Sequence, residues 1–364
     1  MKKTFKLLIA VLIALSLLVA CGGTTNNGTE GNGGEGEESK FKVVAVLDSG
    51  GIDDKSFNQS SWEGIQRFLK DNNLSADHAT YLTSKADGSD YVPNLDKAAS
   101  EGADMVIAIG FLFEDALAEV APNHPDVEFL FIDGFIEGID NLHSTEFAEH
   151  EGSYLVGLVA GARAKEDGSN RVGFVGGYPG PVIGRFQAGF EQGVWEANPE
   201  AVIDIQYAMS FEDTSKGDSL ATKMYDDGAN IVFHAAGAVG NGVINAAQNR
   251  DDVFVIGVDR DQYEDGLDED GNSVILTSMI KRVDTASYNF LSEFYEKGEI
   301  VSDLFVFNMA NEGIDAETTA DRNLTSDEIA TIEEYKEKIK SGAIVVEPEP
   351  VIPDQTAWKL SDVE

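Results

Sequence analysis

Short apolar runs alternate with helical stretches along the chain from residue 41 onward. Most of these runs are rich in Val, Ile and Phe, and each has four to six residues. Runs of this length between helical stretches are typical of parallel strands that are buried on both faces of a sheet. We therefore predict strands at residues 42–47, 79–82, 105–109, 128–132, 171–175, 204–208, 230–235, 253–258 and 274–279.

The length of this part, about 320 residues, predicts two α/β lobes rather than one large sheet. An internal similarity supports this division. One segment begins at Gly102 and reaches Asp133 after 31 residues, and a second begins at Gly228 and reaches Asp259 after the same 31. Both segments contain a helix end, a buried strand, a small-residue loop, a helix, a second strand and the Asp. Chance similarity between two βαβ units is the alternative.

Two facing lobes of this kind would enclose a ligand cleft. In open parallel sheets, ligands lie beyond the carboxyl ends of the strands, and a hinge between the lobes would close the cleft over a small molecule. We assign residues 41–148 and about 280–302 to lobe 1. We assign residues 149–279 and about 303–345 to lobe 2. Residues 346–364 form a C-terminal tail in this prediction.

The N-terminus reads as a targeting signal. Residues 1–20 combine lysines with an apolar run that is too short for a membrane span, and the run ends directly before Cys21, the single cysteine. This pattern resembles a bacterial lipoprotein signal in which Cys21 is lipidated; an ordinary secretory signal is the alternative. Residues 21–40 are polar and glycine-rich, which predicts a flexible tether. We therefore expect an extracytoplasmic protein that is anchored to the cell membrane through lipid on Cys21.

Composition narrows the function classes. The formal net charge of −39 would repel nucleic acid, which argues against DNA or RNA as a partner. Hydrophobic residues make up 42% of the chain, enough for a full core. The five histidines are scattered and no catalytic motif is present. The acidic stretch at 268–273 reads as a solvated turn rather than a calcium loop. We therefore predict no catalytic residue, no metal and no cofactor, and a protein that is not an enzyme.

Polar side chains follow the predicted strands. Asp48 comes directly after the first strand, in the loop DSGGIDDKSFNQ, and Asp259 follows a strand of the other lobe. A carboxylate at a strand end can accept hydrogen bonds from the vicinal hydroxyls of a sugar or ribose. Either Asp could instead cap a helix or shape a turn. Lys281 could donate to a ligand hydroxyl, hold a strand-end Asp in place, or lie on the surface.

Aromatic rings occupy the same loops. Phe57 could be the hydrophobic staple of the following helix, with Ser56 as its cap, or a flat face on which a planar ligand stacks while Asn58 reads the edge of that ligand. In the other lobe, Phe233 precedes small residues that end at Gly237 and leave room for a ligand.

A set of motifs carries a resemblance to a known family. In chain order these are DSGGIDDKSFNQSSWEG, AIGF, GFVGG, GRFQAGFEQG, FHAAG, VIGVD and TSMIKR. The set resembles the basic membrane protein family of substrate-binding lipoproteins, the purine nucleoside receptor A-like group, which serve ABC importers. The resemblance extends over essentially all of residues 41–310.

The resemblance implies a type I periplasmic-binding-protein fold: two similar doubly wound lobes, three hinge crossovers and a nucleoside in the cleft. The base is expected to stack between aromatic rings, and the ribose hydroxyls to meet acidic and basic side chains. The implied ligand-binding positions are Asp48, Phe57, Asn58, Phe233, Gly237, Asp259 and Lys281. Phe111 and Phe211 are reserve candidates for the second stacking ring.

The expected function is therefore capture of an intact nucleoside outside the membrane and its delivery to an ABC transporter permease. We expect the protein to act as a monomer. A sugar or another small polar ligand in the same cleft is the first alternative. A surface nucleosidase or hydrolase, with an acidic calcium site at Asp48, Asp53 and Asp54, is the second.

Overall fold

The computed structural model describes residues 41–352 and 357–358. The targeting signal, the tether, the lipidation site at Cys21 and most of residues 353–364 lie outside the described residues. In the ranges described, no helix has both the length and the apolar character that a membrane crossing requires.

Strands and helices alternate along the described ranges. The strands are β1 Val43–Leu47, β2 Ala79–Thr83, β3 Met105–Ile109, β4 Glu128–Ile132, β5 Leu142–Phe147, β6 Arg171–Gly176, β7 Val202–Tyr207, β8 Ile231–Ala235, β9 Phe254–Asp259, β10 Ile275–Lys281, β11 Leu304–Phe307, β12 Ile314–Ala316 and β13 Ala357–Trp358. The α-helices are α1 Phe57–Asp71, α2 Tyr91–Ser100, α3 Glu114–Val120, α4 Glu149–Glu166, α5 Pro181–Ala197, α6 Thr214–Asp226, α7 Val239–Gln248, α8 Val283–Lys297 and α9 Ser326–Lys340.

The strands form two mostly parallel sheets. The first sheet has the order β11-β5-β4-β3-β1-β2, and the second has the order β12-β10-β9-β8-β6-β7-β13. Every neighbouring pair in the first sheet is parallel, whereas β12 and β13 join the second sheet as antiparallel edge strands. The predicted α/β class is confirmed, and each predicted strand is present with small differences at its ends.

Burial follows the position of a strand within its sheet. All residues of β1 and β3 are buried, because these strands lie in the middle of the first sheet between layers of helices. In β2, at the edge of that sheet, Thr80 and Tyr81 are exposed. The apolar runs that predict the inner strands therefore report burial on both faces.

One segment differs from the expected lobe boundaries. Residues 304–307 belong to the second lobe in the sequence-based prediction, but β11 pairs in parallel with β5 of the first sheet. This pairing gives β5 a hydrogen-bonded neighbour on its outer side, with Ser144 N donating to Asp303 O at 2.9 Å. The Phe307 ring also stacks on Phe147 at 4.9 Å between ring centroids. The edge strand of the first sheet beside β5 therefore comes from a distant, later part of the chain.

The chain passes between the two sheets at three places. It leaves the first sheet after β5, returns after β10, and leaves again between β11 and β12. Helix α8, between β10 and β11, packs on α1 beside the first sheet, where the Ser287 and Ser61 hydroxyls lie 2.7 Å apart. These passages agree with the three crossovers that the resemblance implies.

Candidate ligand-binding site

The register of the strands brings several loops to one edge of each sheet. Leu47 at the end of β1 is level with Ile109 of β3, and Ile109 is level with Ile132 of β4. The residues that follow these three ends are therefore neighbours. In the second sheet, Gly176 is level with Ala235. The carboxyl ends of both sheets border the same space.

This space is a cavity with about 510 Å³ of volume free of protein atoms, a figure that includes open solvent. One wall comes from loops after β1, β3 and β4, and the opposite wall comes from α5, from the loop after β7 and from the ends of β8, β9 and β10. The lining residues that matter for its chemistry are Asp48, Asp54, Phe57, Asn58, Gly110, Phe111, Asp133, Phe186, Phe211, Gly237, Asp259 and Lys281.

Six of the seven sequence-predicted ligand positions line this cavity, and Phe233 does not. The Phe233 side chain is 0% exposed and packs in the core against Phe174, Phe186 and Phe190, at 5.3 to 6.3 Å between ring centroids. The reason is its register, because it lies inside β8, two residues before the strand ends, and its ring packs against Phe186 and Phe190 of α5. Its assignment as a stacking ring is corrected by the structure.

Phe111 and Phe211, the reserve candidates, do line the cavity. Their rings come from opposite walls and meet edge to face, at 6.1 Å between centroids and 80° between planes. Gly237 lies beside them with φ of +56°, and a Cβ there would lie 3.2 Å from Phe211 O. A glycine is required at this position because the left-handed backbone and the close contact both disfavour a side chain.

The loop before α1 is held by a buried acid. The Asp54 carboxylate accepts hydrogen bonds from the backbone N–H groups of Ser56, Asn58 and Gln59 at 2.8 to 3.0 Å. These groups would otherwise lack partners at the helix N-terminus. The alternative in which the Ser56 side chain caps α1 is wrong, because the Ser56 hydroxyl donates to the Asp259 carboxylate of the second sheet instead.

Asp48 and Asn58 form a polar corner next to the Phe57 ring. Asp48 Oδ1 accepts from Asn58 Nδ2 at 2.7 Å and from Gly50 N at 2.9 Å. Burial raises the pKa of Asp48 above its ordinary value, although these hydrogen bonds oppose the shift. Gly110 closes this corner with φ of +118°, and a Cβ there would lie 3.5 Å from Asp48 Oδ2.

Lys281, at the end of β10, holds a buried ionic network together. Its ammonium lies 2.6 Å from Asp133 Oδ2 and 2.9 Å from Glu149 Oε1, and its side chain is 1% exposed. Arg185 Nε lies 2.5 Å from the other oxygen of Glu149. Burial alone would lower the pKa of Lys281, but Asp133 and Glu149 outweigh it and raise that pKa. Lys281 therefore holds a strand-end Asp and does not lie on the surface, in agreement with one of its three predicted roles.

Three aromatic rings surround the same ammonium. Lys281 Nζ lies 5.0 Å from the centroid of Phe57, 4.7 Å from that of Phe147 and 5.3 Å from that of Phe186. Cation–π attraction of this kind adds to the stabilisation of a desolvated ammonium. The Phe57 ring is therefore fixed from one side by Lys281 while it lines the cavity.

Asp133 and Asp54 are the acidic cavity residues that the sequence-based nucleoside site omits. Asp133 occupies the place in the first repeat that Asp259 occupies in the second, so the 31-residue similarity contains the signal for it. In the sequence, the position of Asp54 shortly before the start of a predicted helix indicates that its carboxylate could cap that helix. Two buried acceptors of this cavity, Asn58 Oδ1 and Asp133 Oδ1, have no hydrogen-bond partner in the described part of the chain.

The arrangement suits the binding of a planar ligand that carries hydroxyl groups. It combines aromatic faces with buried carboxylates and one ammonium. Among residues 41–352 and 357–358, no cluster of three or more His, Cys, Asp or Glu side chains could hold a metal ion.

Comparison with protein families gives a match over residues 41–349 to the ABC transporter substrate-binding protein PnrA-like family, Bmp. The chain belongs to this family. The family resemblance drawn from the sequence motifs is confirmed. Bmp proteins are substrate-binding proteins of ABC transporters, and the family is not one of enzymes.

Relatives extend over almost the whole chain. A CD4+ T-cell-stimulating antigen of Listeria innocua is 40% identical over 363 residues, covering 96% of this chain and 99% of the relative. An ABC transporter nucleoside-binding protein, BmpA, of Lactococcus lactis is 35% identical over 360 residues, covering 95% and 99%. Basic membrane protein B of Borreliella burgdorferi is 32% identical over 274 residues, covering 74% and 78%.

Solved structures agree on the fold. An ABC transporter solute-binding protein from Aeropyrum pernix superposes with a TM-score of 0.71 at 24% identity, covering 84% of this chain and 94% of that one. Another from Conexibacter woesei gives a TM-score of 0.63 at 24% identity, covering 84% and 99%. The type I periplasmic-binding-protein fold is confirmed for this member of the Bmp family.

Proposed function

We propose that this Bmp protein binds one intact nucleoside in the cavity between the two sheets and delivers it to an ABC transporter permease. The observation that carries the proposal is the composition of the cavity, in which aromatic rings from both walls lie beside buried strand-end carboxylates. The name of the Lactococcus relative, a nucleoside-binding protein, supports the same ligand class.

The base lies against the Phe57 ring in this proposal. Phe57 borders the polar corner of Asp48 and Asn58, so a base stacked on it has hydrogen-bonding groups at its edge. Phe111 or Phe211 supplies the second aromatic surface, in place of Phe233. Stacking on an aromatic ring contributes about 1 to 3 kcal/mol per base.

The ribose lies toward the ends of β4, β9 and β10. Asp259 and Asp133 offer carboxylate oxygens to the ribose hydroxyls, and Asp133 Oδ1 has no partner among the described residues. Lys281 directs two of its contacts to Asp133 and Glu149, and an ammonium has three donors in all. The third N–H is the one that we assign to a ribose oxygen.

Each sheet with its helices acts as one lobe, and the three passages of the chain between the sheets form the hinge. Contacts join the two walls at the loop before α1: Gln262 Nε2 donates to Lys55 O at 2.9 Å, and Asn241 Nδ2 donates to Asp54 O at 3.2 Å. These contacts would separate when the lobes open. Ligand binding would then shift the population toward the closed arrangement.

We further propose that the protein is held outside the cytoplasm by lipid on Cys21, with the glycine-rich tether between the anchor and the folded lobes. It works as a monomer that presents its ligand to the permease and performs no chemistry on it.

A panel of ligands tests this function. The chain expressed from residue 22 is mixed with nucleosides, free bases and sugars, and the melting temperature and the integrity of each ligand are measured. We expect stabilisation by nucleosides, of about 2.7 kcal/mol at a hundredfold excess over Kd, with the nucleoside recovered intact. Stabilisation by sugars alone would favour the sugar-binding alternative. Release of free base with turnover would favour the nucleosidase.

A further inference from the structure

Asp54 is a buried acid whose hydrogen bonds reach beyond the helix that it caps. Its side chain is 0% exposed, and no Lys, Arg or His pairs with it in the described ranges. Oδ1 accepts from Ser56 N and Gln59 N, and Oδ2 accepts from Asn58 N. A fourth donor, Asn58 Nδ2, also lies within 3.2 Å of Asp54 Oδ2.

This fourth contact fixes the orientation of the Asn58 amide. Asn58 Nδ2 donates to Asp48 Oδ1 at 2.7 Å and to Asp54 Oδ2 at 3.2 Å, so both of its hydrogens are directed at carboxylates. Rotating the amide by half a turn would place its carbonyl oxygen against the same two carboxylate oxygens, which repel it. Asn58 Oδ1 therefore points away from both acids.

The corner of the cavity around Asn58 consequently offers acceptors. Asn58 Oδ1 is buried without a partner among the described residues, and Asp48 adds a second acceptor. Two backbone donors near this corner are already used, since Gly50 N donates to Asp48 Oδ1 at 2.9 Å and Gly110 N donates to Ile132 O at 3.1 Å. A ligand that brings only an acceptor here would leave buried oxygens facing each other.

We propose that Asp54 is a positioning residue that locks the Asn58 amide as an acceptor and so selects ligands with an N–H donor on the base. This inference rests on the proposed function, because it names a preference of the same cavity. Asp54 acts on ligand choice through the Asn58 amide, which it orients.

Three nucleosides that differ at the base edge test the selection. Adenosine carries an exocyclic amine, inosine carries a ring N–H, and purine riboside has no base donor. We expect wild-type protein to bind adenosine or inosine at least roughly tenfold more tightly than purine riboside, as measured by calorimetry. In Asp54→Asn the ratio should fall at least about threefold below the wild-type value, because the new amide nitrogen opposes Asn58 Nδ2 or a backbone N–H and leaves Asp48 Oδ1 as the one carboxylate oxygen that orients the Asn58 amide.

Asp53→Asn is the matched control. It makes the same chemical change at an exposed neighbouring position outside the cavity and should leave the ratio unchanged. If Asp54→Asn weakens all three nucleosides by one common factor, Asp54 is only a structural cap and the inference is overturned. Should the variant fail to fold, wild-type protein that binds purine riboside as tightly as both donor-bearing nucleosides overturns it, and a tenfold preference supports it. Wild type that binds none of the three overturns the proposed function itself.

Discussion

Asp133 and Asp259 occupy equivalent places in the two halves of the molecule, yet they have different partners. Each ends the second strand of a repeated βαβ unit, each is buried, and each has a left-handed backbone, with φ of 73° and 66°. Asp133 forms an ion pair with Lys281, whereas Asp259 accepts a hydrogen bond from the neutral Ser56 hydroxyl. Both contacts reach across the cavity to the other sheet.

The difference shows how one backbone position can serve two electrostatic roles. Separating Asp133 from Lys281 would leave the buried Asp133 carboxylate without its ion partner, while Lys281 would keep Glu149 alone, which is destabilising. Separating Asp259 from Ser56 would leave one carboxylate and one hydroxyl, a smaller loss. We therefore expect the Asp133 contact to be the stronger attachment between the two walls and the Asp259 contact the weaker one.

Removing the Lys281 ammonium should cause the largest loss of stability among the variants that test this comparison. Lys281→Met keeps an unbranched apolar side chain but leaves Asp133 and Glu149 without their shared ammonium. We expect a loss of about 3 to 5 kcal/mol in the free energy of unfolding, measured by urea denaturation. Lys336→Met is the control, because its pair with Asp315 is partly exposed and should contribute less than about 1 kcal/mol. Equal losses in the two variants would contradict the account.

The pH dependence of stability gives a smaller effect. Burial raises the pKa of Asp259 to about 6 from its ordinary 3.8, against the opposing influence of Lys281 and Ser56. The folded protein thus takes up this proton more readily than the unfolded chain. The stabilising contribution is complete below about pH 4 and is lost as the pH rises through about 6. Asp259→Asn removes this titration, so the variant should gain up to about 3 kcal/mol relative to wild type between about pH 4 and pH 7.

The equivalent change at the other strand end sharpens the test. Asp133→Asn should lower stability throughout that pH range by an offset of about 1.5 to 3 kcal/mol relative to Asp259→Asn, because Lys281 loses a charged partner. Urea unfolding at several pH values measures both quantities. If the unfolding free energy of wild type and of Asp259→Asn changes with pH in the same way, the raised pKa of Asp259 is contradicted. If Asp133→Asn and Asp259→Asn are equally stable, the stronger role of Asp133 is contradicted.

The sequence predicts the inner strands well because apolar runs report burial on both faces. It misses β5 and β11 for different reasons. The run LHSTEF in β5 is polar although most of its residues are buried, and residues in β11 are apolar but partly exposed at a sheet edge. Pairing of β11 with β5 depends on contacts between distant parts of the chain, which no local pattern contains.

The site is predictable where a residue directly follows a strand. Asp48 and Asp259 lie at strand ends, so alternation and the repeat place them at the cavity. Phe233 was misplaced because the sequence does not show on which face of β8 the ring lies. Asp54 received no individual role because its function is to bind backbone N–H groups and the Asn58 amide, which becomes evident only from three-dimensional distances.

The central claim is that a nucleoside base stacks on Phe57 in the cavity, and a calorimetric titration of wild type and Phe57→Ala tests it most directly. Phe305→Ala is the control, because it removes a partly exposed ring on an edge strand away from the cavity. We expect nucleoside binding by wild type and by the control, and binding that is on the order of 10- to 100-fold weaker in Phe57→Ala. Equal affinity in Phe57→Ala and wild type would contradict the account.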